Sequence, residues 1–396
     1  MTSTRSSASA ALNFATVAVY ADLYITQPIL PLLSRDFSVT PAAAGMTVSV
    51  VVLMIALVSS AFGTLSDRVG RKPVMVAACA LLAIPTALCG WAPSFHVLLV
   101  CRALQGALMP GVTAVAVAYI GDVVGEGDLG RRVGGWIAAS VTGGLTGRVL
   151  SGLLAAATNW RVPFFVFGAT TLLGAAAIAR SLPRDAPAPI PPAGPGRPRF
   201  GHFGDRRLVG AFVIGGAVFF AFIGVFTYLP YYLTGPPFRL STALVSSVYV
   251  VYVAGVFTSV AAGRLSARVS RRALMAAGLT VAGGGILGTL VASLPWIVAS
   301  LVVLCVGMFL VQSIAPAFVN ATAPRAKGAA NALYVTFYYV GASLGSFLPG
   351  LAWQRWRWPG VAGSCVGALA VGIAADAWLC GPGRETGNGK RKTGGY

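Results

Sequence analysis

The chain has 396 residues, 56% of them apolar and only 10% charged, with a mean hydropathy of +0.78. So little charge excludes a soluble domain of this size, and apolar runs of about eighteen residues or more, each able to cross a hydrocarbon core of about 30 Å, recur from end to end. The net charge of +19 sits in the short loops between those runs, so it orients the chain in a bilayer and does not indicate a nucleic-acid partner.

The runs are rich in glycine and lack the alternation of barrel strands, so they are helices. About twelve spans are predicted, at ~10–33, ~44–65, ~74–91, ~96–119, ~133–156, ~162–181, ~209–232, ~243–265, ~273–293, ~296–318, ~328–352 and ~359–380. The first is too long for a signal-peptide core and has no cleavage site, so it is expected to be retained. A Pro-rich stretch within 183–207 joins spans six and seven as a semi-rigid cytoplasmic linker. It divides the chain into bundles at 1–182 and 208–381, with a cytoplasmic tail at 382–396.

A charged turn in the first bundle, Gly63-Thr-Leu-Ser-Asp67-Arg68-Val-Gly70-Arg71-Lys72, returns in the second as Gly263-Arg-Leu-Ser-Ala267-Arg268-Val-Ser270-Arg271-Arg272. Likewise Gly143-x-x-x-Gly147 in span five is matched by Gly341-x-x-x-Gly345 in span eleven. Small residues at that spacing let helices approach closely, so both spans are expected to pack on protein and not on lipid. The fold class is therefore all-α and polytopic, with 12 transmembrane helices forming two pseudo-symmetric six-helix bundles.

Loop charge sets the orientation. Arg5, the 68–72 turn, Arg131, Arg132, the linker arginines, the 264–272 turn, Arg325, Lys327 and the Lys390-Arg-Lys tail share one side. Arg35, Arg161, Arg239, Arg355 and Arg357 are on the other, so both termini are expected in the cytoplasm. Trp91, Trp160, Trp296, Trp353, Trp356 and Trp358 then fall at the outer interface as an aromatic belt. The six cysteines follow no metal-ligand spacing and read as small buried hydrophobes.

Charges within spans are costly and mark function. Asp22 in span one, Arg102 in span four and Arg148 in span five are mid-membrane, while Asp376 lies near the inner end of span twelve. An acid able to switch between protonated and ionised forms there is a natural proton carrier; the competing reading is a static Asp22–arginine pair that fixes helix register. At 100° per residue Tyr20, Tyr24 and Gln27 share a face of span one, and Asp22 points away from it. Arg102, Gln105, Gly106 and Met109 form a polar stripe on span four, which could equally be an inter-helix hydrogen-bonding face. Tyr228, Tyr231, Tyr249, Tyr252, Gln312, Asn331, Tyr334 and Tyr338 give the second half aromatics and amides without charge, which suits an amphipathic ligand.

Other motifs carry nothing. Gly283-Gly-Gly-Ile-Leu-Gly288 lies inside an apolar span with no strand before it, so it is no dinucleotide fingerprint. There is no phosphate-binding loop of the kind an ATP-driven pump needs, and His96 and His202 lack paired acids, so no cofactor, metal or enzymatic activity is expected.

The residues at this point resemble the major facilitator superfamily along essentially the whole chain. Gly63-x-Leu-x-Asp67-Arg68-x-Gly70-Arg71-Lys72 matches that family's signature between spans two and three, and Leu99-x-x-Arg102-x-x-Gln105-Gly106 its span-four signature. Gly134-x8-Gly143-x3-Gly147-Arg148-x2-Ser151-Gly152 looks like the span-five signature of its antiporters, and Tyr24-x-x-Gln27-Pro28-x-Leu30-Pro31 like the span-one pattern of its drug:proton antiporters. Arg148 stands where the signature has Pro, and a Gly-Arg there looks more like permeases of the arabinose-efflux type.

The resemblance implies a bacterial inner-membrane secondary transporter that exports a small organic molecule, a drug or a sugar-like metabolite, in exchange for protons and functions as a monomer. It implies that Asp67 steadies the outward-facing state near the start of span eleven around Gly328, and that Asp122 pairs with Arg71 or Arg68 in an inner clamp. Arg102 would couple to protonation of Asp22. A symporter or facilitator importing a sugar or organic acid is the alternative within the fold, and a membrane receptor that does not translocate is the alternative outside it.

Overall fold

The computed structural model describes residues 2–123, 126–183, 201–323 and 327–381. Most of the expected linker, the tail at 382–396, Arg325 and the side chain of Arg5 lie outside the described residues. Every regular element among the described residues is a helix.

In the first half, α1 (Thr2–Tyr24) ends just before a 3-10 turn at Gln27–Ile29. Pro28 has no N–H to continue the helix and disfavours helical geometry at Gln27 before it. After α2 (Leu30–Asp36), Thr40 caps α3 (Pro41–Val69) by accepting from the Ala43 N–H, with Pro41 at the first helical position. α3 stops at Gly70, whose φ of 102° requires glycine. Then come α4 (Arg71–Trp91), α5 (Phe95–Leu108), α6 (Pro110–Val123), α7 (Glu126–Ala157) and α8 (Val162–Ser181). The predicted fourth span is thus divided at Met109, because Pro110 interrupts the hydrogen-bond ladder.

The second half consists of α9 (Arg206–Thr234), α10 (Thr242–Val248), a 3-10 turn at Tyr249–Val251, α11 (Tyr252–Leu265), α12 (Arg271–Gly288), α13 (Leu294–Thr322) and α14 (Lys327–Leu379). A straight helix of the 53 residues of α14 would run about 80 Å. It is instead broken at Arg357, with φ 51° and ψ −138°, and folds back. A Cβ at Gly360 would lie 2.6 Å from the Ala352 carbonyl oxygen.

Ten segments among the described residues are long and apolar enough to cross a membrane, against about twelve expected. The expected spans at 328–352 and 359–380 share α14, and the one at 273–293 falls on α12, which is only 18 residues long and opens with Arg271 and Arg272. The duplication reaches local detail. Ser38 and Arg239 have φ 52° and 50° in equivalent turns, Thr40 and Ser241 cap the helices that follow, and Ser66 and Ser266 each donate to the carbonyl of the preceding Gly63 and Gly263.

Glycine sets the closest helix approaches. A Cβ on Gly143 would lie 2.5 Å from the Val17 carbonyl oxygen, and one on Gly147 would collide with Ala21, so α7 lies against the backbone of α1. Gly341 and Gly345 abut the backbone of Gly216 and Phe220 in the same way, joining α14 to α9. The tryptophan belt needs correction: Trp160, Trp353 and Trp358 are buried, and only Trp91, Trp296 and Trp356 face outward. The polar ends of two of the buried indoles are satisfied inside, by Asp36 at 2.8 Å from Trp160 and by Thr289 Oγ1 at 3.0 Å from Trp358.

Among the described residues the halves make their closest approaches toward one end, with a hydrogen bond between Tyr20 and Tyr339 further along the seam. Gly45 packs on the Ser346 carbonyl, Ser49 donates to the Ser343 carbonyl at 2.8 Å, Gly152 abuts Ser246, and the hydroxyls of Ser34 and Tyr231 lie 2.5 Å apart. Eighteen residues are five helical turns, so Gly63 is on the same face of α3 as Gly45, and Gly328 on the same face of α14 as Ser346, about 27 Å further along. At both positions a Cβ would have nothing within 4 Å. The seam is closed beside the 36–45 turn and open beside the basic 68–72 turn. The close approaches should be intolerant of a single methyl group: Gly341→Ala is expected to cost about 1–3 kcal/mol and lower the melting temperature in detergent. Gly367→Ala, where a Cβ meets nothing within 4 Å, is expected to leave it unchanged.

Candidate functional site

Two polar clusters are buried among the apolar side chains. The first lies within the first half, where α1 ends. Arg102, fully buried, donates from Nε to the Thr47 carbonyl at 2.9 Å, from Nη2 to the Leu23 carbonyl at 2.8 Å, and from Nη1 to the Asp22 carbonyl at 3.1 Å and Gln105 Oε1 at 2.8 Å. The carbonyls of Asp22 and Leu23 belong to the last turn of α1, where helical partners run out, so the guanidinium terminates that helix. The Asp22 carboxylate receives Thr86 Oγ1 at 2.5 Å and Gln105 Nε2 at 3.0 Å, with no exposed surface.

Asp22 and Arg102 are therefore not a direct ion pair. Gln105 bridges them, accepting from the arginine and donating to the acid. The polar stripe of Arg102 and Gln105 is an inter-helix hydrogen-bonding face, whereas Met109 packs into the apolar core at the junction of α5 and α6. Thr86 was not singled out from the sequence: a threonine 64 residues from Asp22 has no local mark.

The second cluster is on the seam. The 3-10 turn after α1 aims Gln27 across it, where Nε2 donates to Thr227 Oγ1 on α9 at 3.1 Å and Oε1 accepts from Arg148 Nε at 2.6 Å. Arg148 also donates from Nη1 to the Gly144 carbonyl one turn back at 2.7 Å. Its guanidinium carbon stands 3.6 Å from the ring centre of Tyr24, 4.6 Å from that of Tyr252 and 5.8 Å from that of Tyr249. α7 presses on α1 through Gly147 and on α10 through Gly152, and this holds Arg148 inside with only 2% of its surface exposed.

Arg148 Nη2 has no hydrogen-bond partner, nor does the buried hydroxyl of Tyr252. The ion pairs among the described residues are Arg71 with Asp67 and Asp122, Arg131–Asp128, Arg161–Asp36 and Arg272–Asp376, and Arg148 is in none of them. Cation–π contact is worth about 2 kcal/mol when desolvated. Burying an ion costs several kcal/mol even after relaxation. The rings offset only part of that cost.

The other sequence candidates are dispersed. Tyr338 stacks on Phe219 with centroids 3.7 Å apart, and Tyr334 neighbours it at 6.1 Å. Tyr228 donates to the Ser346 carbonyl at 2.7 Å and Tyr231 to the Leu30 carbonyl at 3.0 Å, both at the closed end of the seam. Asp67, Arg71 and Asp122 do meet, with both pairs at 2.7 Å, and it is Arg71 that takes Asp122, not Arg68. That cluster is contained in the first half; Gly328 stands open and is not packed on Asp67. All six cysteines are buried and free.

The two arginines make opposite demands. Arg102→Gln removes donors from three carbonyls and is expected to destabilise the protein by about 3 kcal/mol or more, whereas Arg148→Gln relieves a partly compensated charge and should cost under about 1 kcal/mol. Thermal unfolding of the two variants in detergent checks the order.

The family model of the Major Facilitator Superfamily matches residues 12–346 and 238–394. The chain is 32% identical over 368 residues to the MFS-type transporter YybF of Bacillus subtilis, covering 91% of this chain and 89% of that one. It is 33% identical over 372 residues to the inner membrane transport protein YnfM of Escherichia coli, covering 93% and 89%. Its fold is similar to a bacterial homologue of the human lysosomal transporter Spinster, solved inward-facing and occupied, with a TM-score of 0.78 at 18% identity over 94% of this chain and 95% of that one. A D-xylose–proton symporter superposes with a TM-score of 0.75 at 16% identity, covering 94% and 96%.

Proposed function

The chain belongs to the Major Facilitator Superfamily and is a multi-pass membrane transport protein, and on that premise we propose that it exports a small organic molecule in exchange for protons. The reading is carried by the seam. The halves are joined at one end and parted at the other, and the Gln27–Thr227 hydrogen bond crosses between them with the buried Arg148 alongside. Two rigid halves that rock about such a junction expose it to each side in turn. With the basic turns in the cytoplasm, the present state is inward-open.

Asp22 is proposed as the coupling acid. Its carboxylate is bound by a hydroxyl and an amide and has no direct cationic partner, so either protonation state can be accommodated. A protonation change is felt by Gln105 and Arg102, and through the Asp22 and Leu23 carbonyls by the end of α1 that presents Gln27. Asp67, Arg71 and Asp122 form the cytoplasmic latch of the first half in this scheme.

Spin labels at Gly63→Cys and Gly328→Cys, in the full chain in liposomes, test the cycle without a known substrate, since the native cysteines are buried. Two distance populations are expected, the longer one matching this structure, with a ratio that changes between about pH 5 and pH 8 and does so no longer in Asp22→Asn. One distance at every pH would remove alternating access. A response unchanged in Asp22→Asn would move the coupling to another group.

A further inference from the structure

We propose that the substrate is an organic monoanion, a carboxylate on an apolar or aromatic body, whose charged group docks between the unpartnered Nη2 of Arg148 and the hydroxyl of Tyr252. The inference rests on the transport reading above and names its substrate class.

Three features of the seam cluster carry it. First, Arg148 is a buried cation without an acid, and its Nε and one Nη1 hydrogen are committed to Gln27 and Gly144. Nη2 is left without a hydrogen-bond partner, and a buried guanidinium nitrogen so placed can donate to a carboxylate oxygen. Second, the unpartnered Tyr252 hydroxyl belongs to the ring under the guanidinium, so a further donor for the same anion is in place. Third, the wall behind Tyr252 is aromatic, with Phe226 at 4.5 Å and Phe222 at 5.0 Å between ring centres.

Charge decides the class. A cationic ligand would meet Arg148 unscreened, and a neutral one would leave the guanidinium uncompensated. Tyr24, Tyr249 and Tyr252 face Arg148, and no second cation among the described residues is hydrogen-bonded or stacked with them. A dianion would carry one charge too many. Asp22 does not compete for the site, because its carboxylate is engaged by Thr86 and Gln105 on the other side of α1.

The test is binding to the detergent-purified full chain, read by intrinsic fluorescence and by calorimetry. The probes are benzoate, phenylacetate and 1-naphthoate beside their uncharged amides and benzylammonium. At least one acid is expected to bind saturably and about tenfold or more tighter than its amide, with no binding of benzylammonium. Arg148→Gln should abolish the preference for acid over amide, Arg148→Lys should weaken it, and Tyr252→Phe should reduce acid affinity several-fold. The proposal is overturned if no acid saturates, if amides bind as well as acids, or if the preference survives in Arg148→Gln. Should Arg148→Gln fail to fold, unchanged acid affinity in both Arg148→Lys and Tyr252→Phe overturns it equally. Binding needs no gradient, so acid binding without any counterflow in liposomes would sink the transport reading and leave the anion site standing.

Discussion

Backbone carbonyls have no water to turn to inside a bilayer, and the first half is arranged around the place where that constraint is hardest to meet. α1 ends at Tyr24, well inside the protein, because Pro28 forbids its continuation. The carbonyls so released are taken by Arg102, which also ties in Thr47 on α3 and Gln105 on its own helix. One guanidinium therefore allows a helix to stop in the membrane interior. The stop turns Gln27 toward the other half, on a face that Asp22 does not share. The acid is left in the packed interior of the first half and the amide on the seam, joined by four residues of chain.

Small residues set against backbone bind each half and also bind the halves together, with hydrogen bonds added at the seam. Within a half, α7 on α1 and α14 on α9 are backbone-to-backbone approaches over small residues, which leave no room for sliding. Across the seam similar close approaches recur, Gly45 on the Ser346 carbonyl and Gly350 on Ala42, beside hydrogen bonds at Ser49 and Ser343, Ser34 and Tyr231, Tyr20 and Tyr339, and Gln27 and Thr227. Such bonds are each worth about 1 kcal/mol net and re-form with new partners or with water.

Much of this was legible in the sequence because it is periodic. The repeat of the 63–72 turn at 263–272 announced the duplication that recurs in the caps and left-handed turns, and the four-residue glycine spacing in α7 and α14 marks the faces that press on α1 and α9. The 100° rule separated Asp22 from Gln27 correctly, since helical phase is a local property. What failed was not local. The competing reading of a direct Asp22–arginine pair overlooked Thr86 and Gln105, which become neighbours only through packing. The tryptophan belt overlooked partners such as Asp36 and Thr289, which let an indole turn inward. Tyr228 and Tyr231 were chosen by residue type alone, and their hydroxyls are spent on carbonyls, Tyr228 on Ser346 within its own half and Tyr231 on Leu30 across the seam.

Arg102 and Arg148 are both essentially sealed from solvent, yet they contribute to the molecule in opposite ways. Arg102 makes its hydrogen bonds inside one half, so a rocking motion leaves them intact, and on the proposed reading Asp22 feels that motion through the end of α1 that presents Gln27. Arg148 is held by Gln27 from its own half and by the ring of Tyr252 from the other, so every change at the seam alters its surroundings. Its cost is tolerable because α7 is locked by glycine contacts on both sides. A cation whose compensation is incomplete in one arrangement of the halves raises the energy of that arrangement. A ligand that completes it acts on the equilibrium by as much as it improves that balance, and no more. On the reading proposed here, recognition and motion are thus the same event: the group that selects the substrate is the one whose energy depends on how the halves stand.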